Sequence, residues 1–164
     1  MIFACYAGTG KTTAAFMRSD TLDLLLAPFK YGLIPAENVT YEEHEALKAT
    51  EHDYFDLQYP VKYVDAMRGQ MDYYDYILIP TDPNVLNRLD ELDIFYLTIL
   101  PDYSKPKMKK IYEERYIRRG NNKRFLSIFI ERWDCWMKCL STSKNPFITL
   151  SENEYVSDIL ERLF

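Results

Sequence analysis

Histidine is almost missing from this chain: His44 and His52 are the two in 164 residues, and a metal centre built on imidazoles needs more ligands than that. Long apolar runs are missing too. None approaches the roughly 20 residues that cross a bilayer, and the apolar start is too short, with no basic stretch before it, to read as a signal sequence. The expectation is a cytoplasmic protein with no membrane partner. Cysteine is scarce and odd in number, as Cys5, Cys135 and Cys139, without the spacing of a disulfide framework, so reduced thiols are expected. Positive charge is in deficit, at a net -5, which argues against a nucleic-acid partner held by the field of the whole molecule.

What is present suffices for one core. The chain is 48% hydrophobic and 27% charged, close to the globular averages of about 45–50% and about 25%. Disorder, collagen-like repeats and a disulfide-stapled miniprotein are thereby excluded, and the length suits one domain spanning 1–164. Short apolar segments predict strands at Ile2–Cys5, Thr21–Leu26, Tyr76–Pro80, Ile94–Leu100 and Phe147–Leu150. Helices are predicted from Lys11 to about Arg18, over Thr40–Ala49 with capping-box spacing, and from Pro60 through Val61, Val64, Met67 and Met71. Thr81 or Asp82 can cap another with Val85, Leu86, Leu89 and Leu92 on one side. Lys107–Arg119 and Asn122–Leu140 read as a helical pair separated by Gly120, and a last helix runs from about Glu154. This alternation predicts an α/β fold: a five-stranded parallel sheet with helices on both faces.

The strongest chemical signal is Ala7-Gly8-Thr9-Gly10-Lys11-Thr12-Thr13, directly after the first strand and opening a helix. Polyphosphate binding needs several N–H groups aimed inward, and glycines let the backbone wrap closely. The positive end of the following helix adds attraction. Lys11 supplies a mobile cation for the β- and γ-phosphates of ATP, and the Thr12 hydroxyl a ligand for Mg²⁺. The strict pattern G-x-x-x-x-G-K-[ST] is broken at one place, where Cys5 stands at the first glycine position; its thiol is the feature that would narrow the approach of the β-phosphate.

The segment Cys5–Thr13 resembles the P-loop of the nucleoside and nucleotide kinase branch of P-loop NTPases, to which adenylate and shikimate kinases belong. It is more similar still to small P-loop proteins of bacteriophages and gut bacteria, which typically read GYAGTGKTT here. The likeness continues in Leu22–Leu24, Pro28–Tyr31, Tyr74–Ile79, Arg115–Asn121 and Tyr155–Leu160, although only the P-loop segment is highly specific. The resemblance implies a three-layer P-loop domain with an acceptor-side insert at about 36–63 and a helical lid at about 105–132. It implies an ATP- and Mg²⁺-dependent kinase, and a host cytoplasm if the chain is phage-encoded. Asp23 matches the first carboxylate of the Asp-x-Asp with which shikimate-kinase-like proteins hold Mg²⁺, while Leu25 replaces the second. Asp82 is the rival metal carboxylate, and either aspartate can equally be a cap.

Charge is uneven in a way that fits. From Lys105 to Arg132 there are ten basic and three acidic residues, a local +7, which suits a small anionic partner. Arg115, Arg118 and Arg119 share one helix face, and as lid arginines Arg115 and Arg119 are expected to contact phosphates and steady the charge of phosphoryl transfer. The bland alternative is a solvated basic face. Tyr41–Tyr63 is acidic, offset by Lys30 and Arg68, which favours a hydroxyl-bearing or cationic phosphoryl acceptor over a monophosphate. His44 and His52 read as surface residues, and Cys135 and Cys139, beside Trp133 and Trp136, as core packing. The leading expectation is a small-molecule kinase; the alternative is an NTP-binding regulatory switch or slow NTPase.

Overall fold

The computed structural model describes residues 1–31 and 56–163. The expected helix at 40–49, both histidines and most of the acceptor-side insert lie outside the described residues.

The first strand, β1 (Ile2–Cys5), is central. It pairs in parallel with β3 (Tyr76–Pro80) on one side and β4 (Leu97–Pro101) on the other; β2 (Thr21–Asp23) flanks β3 and β5 (Phe147–Leu150) flanks β4. The order β2-β3-β1-β4-β5 is parallel throughout. Strands buried on both faces read as unbroken apolar runs, and β1 and β3 do so as IFAC and YILI. Successive side chains then serve opposite layers.

Ile2, Ala4, Ile77, Ile79 and Leu100 face one layer. It consists of α3 (Tyr59–Gln70), α4 (Pro83–Glu91), α5 (Lys107–Arg118) and α7 (Trp133–Ser141). Each contributes a stripe at helical spacing, such as Met108, Tyr112 and Tyr116 from α5, all fully buried. Phe3, Cys5, Leu78 and Ile99 face the other layer, α1 (Lys11–Met17) and α8 (Val156–Leu163), through Ala14, Val156, Ile159 and Leu160. The architecture is a three-layer α/β fold. No described helix is long and apolar enough to cross a membrane.

Several boundaries differ from expectation for physical reasons. The β2 strand stops at Asp23, although Leu24 N–H still bonds Leu78 O at 3.0 Å; α2 (Ala27–Lys30) then turns the chain away with Pro28 in its first turn. The β4 strand starts at Leu97 because Ile94 N–H closes the end of α4 onto Leu89 O at 2.9 Å. The expected helix Asn122–Leu140 is three pieces: α6 (Lys123–Leu126), a π-helical turn at Ser127–Glu131, and α7. Gly120, with φ of 76°, ends α5 as expected. Asn121 N–H reaches Tyr116 O and Gly120 N–H reaches Ile117 O, both at 3.0 Å, the paired bonds of a Schellman motif.

The stretch expected as a lid alternates core-packed and exposed positions, with Arg118, Arg119, Lys123 and Arg124 among the exposed. Met108, Tyr112, Tyr116 and Ile130 are buried in the main hydrophobic cluster, so 105–132 does not stand off from the body of the fold. Cys135 and Cys139 correct a second expectation: both are exposed. Trp133, Met137 and Leu140 form the buried stripe of α7, and residues two and six after Trp133 fall on the opposite side of a helix that turns about 100° per residue.

Candidate functional site

The segment between β1 and α1 is a close-packed turn. Gly8 and Gly10 have φ of 81° and 90°, a region that side-chain-bearing residues avoid. Space forbids a side chain as well. A Cβ on Gly8 would lie 2.8 Å from Tyr116 Cε1, and one on Gly10 would lie 3.0 Å from Tyr155 Cδ1. The turn is stitched to its surroundings: Tyr116 OH donates to Ala7 O at 2.8 Å, Thr9 Oγ1 to Tyr6 O at 2.8 Å, and Val156 N–H to Thr9 O at 2.9 Å. Two tyrosines from distant parts of the chain thus set its shape, and neither was legible as a partner of the loop in the sequence.

A cavity of about 340 Å³ opens beside this turn, lined by Gly8, Gly10, Lys11, Thr12, Thr13, Arg115, Arg118, Arg119 and Tyr155. That lies within the range of small-ligand sites, about 300–1,000 Å³. Four of the lining side chains are cations and none is a carboxylate. Among the described residues, none of Lys11, Arg115, Arg118 and Arg119 is in an ion pair. Ala14 N–H is the first to close on the turn, bonding Gly10 O at 3.0 Å, which leaves the N–H groups of Lys11, Thr12 and Thr13 without an intrahelical acceptor. The chamber suits an anion with several oxygens. It also sits by strand carboxyl ends where β1 connects towards one sheet edge and its neighbour β4 towards the other, the usual place for ligands in open α/β sheets.

The structure distributes the expected residues unevenly. Gly8, Gly10, Lys11, Thr12 and Thr13 line the cavity, whereas Ala7 and Thr9 do not; Thr9 is fully buried with its hydroxyl turned to Tyr6 O. Arg118 and Arg119 are exposed at the cavity wall. Arg115 is held more tightly: Nη2 donates to Glu152 O at 2.5 Å, and the guanidinium lies 4.7 Å from the ring centroids of both Tyr112 and Tyr155. Its Nη1 is buried without a partner.

Cys5 does not obstruct the cavity. It is fully buried in the α1/α8 layer and is not among the lining residues. Burial pushes its thiol up to about 12, against a smaller opposing pull from Lys11, so at neutral pH it is an inert apolar group.

The two candidate metal carboxylates separate. Thr12 Oγ1 donates to Asp23 Oδ2 at 2.6 Å, while Asp23 Oδ1 is buried and unpartnered. A hydroxyl and a carboxylate side by side, with acceptor capacity left over, fit a hard cation that takes oxygen ligands and keeps several waters. No cluster of three or more His, Cys, Asp or Glu suited to a metal occurs among the described residues, and a cation sharing its shell with phosphate oxygens needs none. Asp82, by contrast, is fully used. It caps α4 through Asn84 N–H and Val85 N–H at 3.0 and 3.1 Å, accepts from Tyr59 OH at 2.9 Å, and pairs with Lys30 at 3.2 Å. The cap reading of Asp82 is the one the geometry supports, and Lys30 is thereby spent on it.

Comparison of the chain with protein-family models, with curated proteins and with solved structures gives no match.

Proposed function

We propose that this protein is a P-loop phosphotransferase: it binds ATP with Mg²⁺ against the Gly8–Thr13 turn and transfers the γ-phosphoryl group to a small nucleotide- or nucleoside-type acceptor. The observation that carries this reading is the all-cationic chamber, in which Lys11 on the glycine turn and Arg118 and Arg119 on α5 and its C-terminal cap line one cavity. Phosphoryl transfer is catalysed chiefly by positioning and by neutralising charge on the phosphate oxygens, and this chamber supplies cations on both sides. Lys11 holds the β- and γ-phosphates, Arg119 with Arg118 steadies the transferred group, and Arg115 is anchored in the same wall. Thr12 and Asp23 would hold Mg²⁺, which draws charge from the phosphate oxygens when bound. The setting is the cytoplasm, where the exposed thiols stay reduced.

Titration of the full chain with ATP and GTP, with and without Mg²⁺, tests the site. Binding should require Mg²⁺, and a ligand at 100 times its dissociation constant should raise stability by about 2.7 kcal/mol. Lys11→Ala should abolish that rise without lowering the melting temperature of the free protein. ADP release stimulated by one member of a panel of nucleosides, nucleotides and small phosphorylatable metabolites identifies a kinase. Tight binding with no stimulation by any of them favours the switch or slow NTPase, and absence of any triphosphate binding refutes both.

A further inference from the structure

The loop between β5 and α8 touches both walls of the cavity. Its Tyr155 ring packs against Gly10, where an added Cβ would lie 3.0 Å from Tyr155 Cδ1 and 3.3 Å from Tyr155 Cβ. The next residue, Val156, bonds Thr9 O at 2.9 Å. The same tyrosine ring carries the Arg115 guanidinium 4.7 Å from its centroid, and Arg115 Nη2 donates to Glu152 O in the same loop. The Glu152 carboxylate is turned elsewhere, to Lys107. Every described partner of Arg115 is therefore uncharged: the rings of Tyr112 and Tyr155 and one carbonyl. A carboxylate in that position would cancel the cation before a ligand arrived. An aromatic face orients a guanidinium and leaves its charge in place.

We propose that Tyr155 is a positioning residue, whose ring fixes Arg115 on one wall of the cavity and the Thr9–Gly10 turn on the other, so that cation and turn keep one spacing. The ligand this spacing serves, a triphosphate, rests on the nucleotide reading above; the contact itself does not. The ring does the holding, and the hydroxyl takes no part in these contacts.

Two measurements on the full chain test this. The first needs no ligand. Ring currents of Tyr112 and Tyr155 should shift the Arg115 Nε–H resonance; it should stay in place in Tyr155→Phe and move part of the way towards the position of free arginine in Tyr155→Leu and Tyr155→Met. The second is Mg-ATP affinity by calorimetry. Tyr155→Phe should hold affinity within about two-fold, while Tyr155→Leu and Arg115→Gln should each weaken it about ten-fold. Because the tyrosine acts through the arginine, Tyr155→Leu should add at most about two-fold more in an Arg115→Gln background. An unmoved Arg115 resonance in both Tyr155→Leu and Tyr155→Met, or losses that multiply in the double variant, would overturn the proposal. If the native chain binds no Mg-ATP, the nucleotide reading falls and the resonance alone decides the role of Tyr155.

Discussion

Strands β2 and β3 lie side by side, and each leads to an aspartate at its carboxyl end, yet the two carboxylates have opposite fates. Asp82 receives two backbone amides, a tyrosine hydroxyl and a lysine. Asp23 receives one threonine hydroxyl, and its second oxygen has no partner. The cause is local. Asp82 precedes Pro83 and a helix whose first amides need acceptors, whereas Asp23 ends a strand whose amides are already in the sheet. A carboxylate with all its acceptor sites filled holds a fold together; one with capacity to spare next to a cavity is the one that can serve a ligand.

Removing each carboxylate separates the two roles most sharply. Asp82→Ala should destabilise the protein by about 2–4 kcal/mol, from loss of the cap and of partners for Lys30 and Tyr59, read by denaturant unfolding. Asp82→Asn keeps an acceptor for the amides and should recover part of that loss. Asp23→Ala should shift stability by less than about 1 kcal/mol but weaken Mg²⁺-dependent ATP binding about ten-fold, or about 1.4 kcal/mol. Equal Mg-ATP affinity in Asp23→Ala and the parent would remove Asp23 from the proposed metal site and dissolve the contrast.

The same division between sealed and open groups applies to the thiols. Cys5 is raised from 9.0 to about 12 by burial, so the folded protein keeps this proton at pH values where the unfolded chain gives it up. Its contribution is complete below about pH 9 and declines as pH rises towards 12, with a loss on the order of 1 kcal/mol at about pH 10. Burial likewise lifts Tyr112 and Tyr59 from 10.0 to about 12, so a Cys5→Ala variant should still lose stability at alkaline pH, with the onset moved from about pH 9 to about pH 10 in denaturant unfolding. The smallest effect is expected at the open thiols. Cys135→Ser and Cys139→Ser should each change stability by less than about 0.5 kcal/mol, and alkylation of the folded protein should modify these two while sparing Cys5.

Local chemistry carried much of this into the sequence. The glycine turn after a buried strand, the Asp82 cap and the Gly120 stop each depend on residues within a few positions of one another, and all three stand in the structure as their spacing suggests. The elements that went unread depend on distant contacts. Tyr116 and Tyr155 pack on Gly8 and Gly10 from more than a hundred residues away, and no local pattern announces that. The π-helical turn is of the same kind. Tyr6 OH takes Phe129 O at 2.7 Å and Trp136 Nε1 takes Ile128 O at 2.8 Å, so two carbonyls in the turn have side-chain donors that a periodicity argument does not contain. Within α7 the buried stripe of Trp133, Met137 and Leu140 is what turns Cys135 and Cys139 outward.

The aromatic packing around Tyr6 has an optical consequence. The chain has two tryptophans, and their rings stand 5.7 Å (Trp133) and 6.1 Å (Trp136) from that of Tyr6, the residue that leads directly into the glycine turn. Intrinsic indole emission is thus a label-free gauge of whether that turn moves, and stopped-flow fluorescence can follow the event in real time on the unaltered molecule.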